Sequence, residues 1–174
     1  MIDEVARYTI PQALGLLPKA MDSLPARAML LAIGLQESRF LYRFQGSQTF
    51  SRSDDGPAGG FWMFEPAGVR AVLAHRYAKG PIIEAAARLR YTTIANMNSE
   101  QVVGILEDND VLACVFARCL LWTHASDLPL EEEQGKGWRQ YTDLWRPGRP
   151  RPETWPALYS EAWSRLHTPS PIHV

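Results

Sequence analysis

The stretch SLPARAMLLAIGLQESRFLYRF, residues 23–44, decides the class of the fold. Ser23 suits an N-cap and Pro25 falls in a first helical turn. Leu30, Ile33, Glu37, Phe40/Leu41 and Phe44 recur at steps of three and four, so they share one helical face. The spacing predicts a long helix from Ser23 to about Phe44. Glu37 is the charge embedded in its apolar stripe. Burial disfavours the ionised carboxylate and raises its pKa, and a carboxylic acid still protonated near neutral pH is suited to general-acid chemistry. Periodicity alone favours the plainer alternative, a carboxylate at the stripe's edge that reaches solvent or pairs with Arg39, Arg43 or Arg52.

Helical patterns continue on both sides. A short helix is expected from Pro11 to about Met21, and others over 66–78, 81–95, 99–107, 110–125, roughly 135–145 and about 153–166. Strand signals are nearly absent. Residues 45–60, QGSQTFSRSDDGPAGG, are polar, glycine-rich and without period, which predicts a loop or small β-hairpin region. Four prolines within 147–156 forbid a helix there and predict an extended connector over the surface, packed by Trp145 and Trp155. Residues 167–174 read as a flexible tail. The expected fold is mainly α, a single domain over 1–174.

Composition narrows the function classes. A net charge of -1 and a pI near 6.4 argue against a nucleic-acid protein, whose phosphate contacts need clustered Lys and Arg. Six Trp in 174 residues fit either a dense core or a carbohydrate cleft. Cys114 and Cys119, five apart in a helical stretch, suit neither a disulfide nor a metal site and read as free buried thiols. The four His offer no ligand pair, so neither metal nor cofactor is expected. The opening MIDEVARYTI lacks a basic segment followed by an apolar run, so no signal peptide is expected, and no apolar stretch approaches the ~20 residues of a membrane span.

Nineteen residues after Glu37 begins GPAGGFWMFEP, residues 56–66. Its glycines let backbone approach a ligand closely, and Phe61, Trp62 and Phe64 offer apolar faces for sugar rings. The structural alternative is a glycine-rich turn leading into a buried aromatic segment.

Glu37-Ser38 late in a helix, a polar loop, then Gly-x-x-Gly and aromatics together resemble the soluble lytic transglycosylase and goose-type lysozyme group, within the lysozyme-like superfamily. That group carries an acid glutamate followed by serine, before a segment that typically reads Gly-Leu-Met-Gln. Small phage-encoded transglycosylase-like proteins, with Gly-Phe-Trp-Gln-Phe, are the nearest in pattern. The resemblance extends through DVLACVFARCLLWTHASDLP and WRQYTDLWRPGRPRPETW, most of residues 25–160. It implies a lysozyme-like helical domain and cleavage of the bond between N-acetylmuramic acid and N-acetylglucosamine in peptidoglycan. Glu37 would be the acid, Ser38 would orient it or touch substrate, and Gly60, Phe61, Trp62 and Met63 would line the sugar sites.

Met63 stands where the family has a glutamine, and a thioether lacks the amide's donors. The family's later Tyr-Asn-x-Gly is matched only loosely by Trp145-Arg146-Pro147-Gly148, so either Trp145 or Tyr141 is a candidate to contact Glu37. In the transglycosylase one carboxyl group suffices and a 1,6-anhydro product forms. An inverting hydrolase needs a second carboxylate, for which Asp54 or Asp55 is the candidate, although Asp-Asp-Gly also reads as a turn. A virion structural or assembly component with little activity is the non-enzymatic alternative. The implied partners are peptidoglycan glycan strands and phage virion proteins. Without an export signal, delivery to the cell wall would come from a phage particle or at lysis.

Overall fold

Residues 1–43 and 57–167 are described by the computed structural model; among them the chain is helical, with no strand. The helices are α1 (Ile2–Glu4), α2 (Ile10–Gly15), α3 (Leu24–Ser38), α4 (Pro66–Ala74), α5 (Lys79–Arg88), α6 (Ser99–Asp108), α7 (Asp110–Trp122), α8 (Gln134–Trp145) and α9 (Trp155–His167). None is long and apolar enough to cross a membrane. Two caps follow directly from sequence. Asn98 and Gln101 form a reciprocal capping box on α6, and the Asn109 side chain accepts from the Leu112 N–H at the start of α7.

The first helix begins earlier than its proline suggested. A π-helical stretch, Val5–Thr9, joins α1 to α2 ahead of Pro11, and a separate 3-10 turn covers Lys19–Met21. Pro11 brings no N–H, and its ring would crowd the preceding turn of a regular α-helix; the wider π geometry relieves the crowding.

Two helices carry the core. Every residue of α7 from Leu112 to Leu121 is buried, and α7 touches α2, α3, α4, α5, α6 and α8. Helix α3, capped by Ser23 Oγ on the Ala26 N–H, packs most extensively against α9. It is buried all round from Ala28 to Gln36, rather than along one stripe, as a helix apolar on every side must be. Cys114 and Cys119 are free and buried within α7, and burial pushes both thiols up.

Helix α3 ends at Ser38, about six residues before the expected Phe44. Arg39 and Phe40 both take left-handed backbone, at φ 56° and 55°. The cause is Phe40, whose ring folds back into the notch left by Gly34; a Cβ on that glycine would lie 2.2 Å from the ring. Each left-handed residue costs roughly 1–2 kcal/mol, and fully burying a Phe gains about 1.5–3 kcal/mol. Hydrogen bonds of the turn, Leu41 N–H to Ser38 O and Phe40 N–H to Ser38 Oγ, tip the balance. Leu41, assigned to the same apolar face by periodicity, is instead 64% exposed.

Of the expected hairpin region, the described part is a tight turn. Gly59 and Phe64 exchange both backbone hydrogen bonds as one antiparallel bridge, at 2.9 and 2.8 Å. Phe44 and residues 45–56, and with them Asp54 and Asp55, lie outside the described residues, as do 168–174 of the expected tail.

Candidate active site

Glu37 occupies the last turn of α3 and reaches an open cleft of about 1250 Å³. The cleft walls come from the Gly59–Phe64 turn, α4, α8 and the chain after α8 as far as Arg151. The Tyr141 hydroxyl donates to Glu37 Oε1 at 2.5 Å. Oε2 has no hydrogen-bond partner among the described residues. Burial is the largest influence on this carboxyl group and pushes its pKa up to about 7. The Tyr141 hydrogen bond and the Arg151 charge pull it down, and the Glu65 charge pushes it further up. Tyr141 is itself raised, by burial and then by the neighbouring Glu37 charge, so the phenol keeps its proton and acts as donor. Arg43, offered by sequence as a partner for Glu37, is engaged elsewhere: it makes a bidentate pair with Asp110 at 2.9 and 2.8 Å.

Tyr141 is held by an aromatic column on α8 and α9. Its ring stacks on Trp155 at 5.3 Å with an interplanar angle of 9°, and Trp138 and Trp145 flank it. The Trp155 indole donates to Gln134 O, which fixes the stacking partner in turn. Both the tyrosine and Trp145 were candidates to contact Glu37; the contact belongs to Tyr141. The Trp145 indole instead donates to Trp62 O at 2.8 Å, tying α8 to the turn.

Of the residues expected to meet a sugar chain, Glu37, Met63, Tyr141 and Trp145 line the cleft, and four others do not. Phe61 and Trp62 are both 0% exposed. Their rings pack edge-on against Phe40, and the Trp62 indole donates to Leu30 O inside α3. Faces buried in this way cannot be platforms for sugar rings. Gly60 is buried against α6, where its φ of 75° and a Leu106 carbonyl 2.8 Å from any added Cβ account for the glycine. Ser38 is 3% exposed, with its hydroxyl set between Phe61 O at 2.7 Å and Gly34 O at 3.2 Å. It clips the turn to the helix and neither orients Glu37 nor faces the cleft.

Three neighbours were missed. Glu65 sits at the N-cap of α4 yet makes no capping bond, and its side chain lines the cleft. Gln36 and Arg151 exchange hydrogen bonds: the Arg151 guanidinium donates to Gln36 O at 3.0 Å, and the Gln36 amide donates to Arg151 O at 3.3 Å. Thr154 adds a hydroxyl to Gln36 Oε1. The arginines between Trp145 and Trp155 were visible in sequence, but nothing local showed that the segment returns to the end of α3. Among the described residues no group of His, Cys, Asp and Glu could hold a metal ion.

A half-buried carboxyl group with pKa near 7 that lines a cleft and has one oxygen held by a phenol can donate a proton and then take one back. Comparisons of the chain with family models, with curated proteins and with solved structures find no match.

Proposed function

We propose that the chain is a peptidoglycan lytic transglycosylase with a lysozyme-like helical domain and Glu37 as its general acid. The observation that carries this reading is the Glu37 carboxyl group, with one oxygen held by the Tyr141 hydroxyl and its pKa pushed up to about 7 by burial, at an open cleft of about 1250 Å³. Its neutral form protonates the oxygen linking N-acetylmuramic acid to N-acetylglucosamine, and that bond breaks. The resulting carboxylate then takes the proton of the muramic residue's own C6 hydroxyl as that oxygen bonds to C1, giving a 1,6-anhydro end. Tyr141 steadies the carboxylate between the two steps. Delivery of the protein to the wall, by a phage particle or at lysis, belongs to the same proposal.

A second reading is favoured by Glu65, a carboxylate in the same cleft whose charge is felt at Glu37. A hydrolase would use such a group to activate water. Digestion of purified peptidoglycan tests both. Wild type is expected to release wall fragments with anhydro-muramic ends, and Glu37→Gln to lose roughly 10²–10⁴ of that rate. Reducing ends in place of anhydro ends would move the assignment to the hydrolase. Release by neither protein would overturn the enzymatic reading and leave a virion structural role.

A further inference from the structure

Three arginines, Arg146, Arg149 and Arg151, line the cleft that holds Glu37. Among the described residues none of them is ion-paired; the paired arginines are Arg27, Arg43, Arg70 and Arg165. Among the described residues Arg146 donates only to a backbone carbonyl, that of Asp143, and the exposed Arg149 has no partner. The two exposed carboxylates of the cleft leave them free, since Asp143 turns to His124 at 3.3 Å and Glu65 pairs with none of the three. The backbone that carries them is stiff. Pro147, Pro150 and Pro152 fix φ, and the exchange between Gln36 and Arg151 anchors the segment beside the acid. A stiff backbone that carries three guanidinium groups without a carboxylate partner limits the freedom lost on binding to that of the side chains, and the fork geometry of each matches carboxylates.

We propose that this arginine arm is a carboxylate-binding rim, which makes the preferred substrate a glycan strand bearing acid groups on the lactyl arm of its muramic residues. This rests on the wall-cleaving reading. Glucosamine-type sugars are neutral, so the anions nearest the scissile bond are carboxylates on the lactyl ether. They come from two sources: the peptide stem, or the lactyl acid itself once the stem is removed.

Binding and cleavage are measured separately. In cosedimentation with purified sacculi free of teichoic acid, in a Glu37→Gln background that leaves the wall intact, Arg146→Gln/Arg149→Gln is expected to bind about tenfold more weakly at low salt. It should also lose most of the salt dependence shown by the unsubstituted arm. Both arginines are exposed, so an unchanged melting temperature is expected and excludes unfolding as the cause. Sacculi stripped of stems by an amidase distinguish the sources. A defect confined to stem-bearing walls assigns the rim to peptide carboxylates, a defect confined to stripped walls assigns it to the lactyl acid, and a defect on both shows that it takes either carboxylate. Equal binding and equal salt dependence of the two proteins on both walls would overturn the proposal. If wild type cleaves the wall while the arginines prove indifferent, the rim falls and the cleavage reading stands. If binding needs the arginines but no bond is cut, the rim stands and the cleavage reading falls.

Discussion

The Gly59–Phe64 turn and the 141–151 segment both come to Glu37, and they contribute in different ways. The turn puts its aromatic rings into the core: Phe61 and Trp62 pack on Phe40, and Ser38 clips the turn to α3. The segment presents its polar groups to the cleft, with the Tyr141 hydroxyl on the carboxyl group and Arg151 beside it. A conspicuous motif thus shapes the end of the helix that bears the acid, while a less conspicuous stretch that begins at Tyr141 tunes the proton affinity that burial raises. Substitutions in the two regions should therefore fail differently, one through stability and the other through proton affinity.

The largest expected effect lies in the turn. Trp62→Ala removes a fully buried indole and its hydrogen bond to Leu30 O, and should cost about 3–5 kcal/mol in denaturant unfolding. Met63→Ala, one residue on and only half-buried, should cost under about 1 kcal/mol. A Trp62→Ala protein of normal stability that had lost wall binding would break the comparison, because the indole would then be a sugar platform.

Glu37 itself carries the next effect. Its pKa in the folded protein, about 7, lies above its ordinary 4.5. Between those values the folded state keeps a proton that the unfolded chain has released, so stability falls as pH rises from about 4.5 to about 7 and is level above that. Glu37→Gln removes this loss. The variant should match wild type near pH 4 and exceed it by about 3 kcal/mol at pH 8, in melts compared across pH. Equal stability at both pH values would mean that the carboxyl group is not held in its neutral form.

How much of this was legible in the sequence follows from the range of the interactions involved. Ser23, Asn98 and Asn109 act within a turn of their own position, and the helices they start were readable. The charge at Glu37 was visible in the same way, although periodicity alone favours a carboxylate that reaches solvent. The early stop of α3 was not, because periodicity cannot register that Phe40 has a glycine notch to fold into. Nor could it tell a buried aromatic from a sugar-facing one: Phe61 and Trp62 look the same in either role until Phe40 closes over them. Tyr141 was one of two candidates, and only the stacking on Trp155, itself brought in by α9, separates it from Trp145. Arg151 reaches the end of α3 from 115 residues away in the chain, and the charge of Glu65 comes to Glu37 from another element, both beyond the reach of any local pattern.

Tyr141→Phe removes the donor that favours ionised Glu37, so the acid's pKa should move above 7 and the alkaline limb of the activity profile should move up with it. Loss of the hydrogen bond that orients the carboxyl group should lower the rate at the optimum by about tenfold. The ring stacking on Trp155 is preserved, so the fold should not change.

Glu65→Gln should give the smallest shift, and in the opposite direction. The Glu65 charge raises the Glu37 pKa, so neutralising it should move the alkaline limb down. Its influence ranks behind burial, Tyr141 and Arg151, and it acts from an exposed position through solvent. Salt should therefore erase the difference between Glu65→Gln and wild type: at 1 M the screening length is about 3 Å, and the opposing Glu65 and Arg151 charges are both screened. Tyr141 acts by direct contact, which salt screens much less, so the shift in Tyr141→Phe should persist at high ionic strength. A double variant at high salt should then resemble Tyr141→Phe alone. A salt-insensitive Glu65→Gln shift would instead show that Glu65 touches the acid directly, and would place both of its controlling groups in the cleft wall rather than one in the wall and one across the gap.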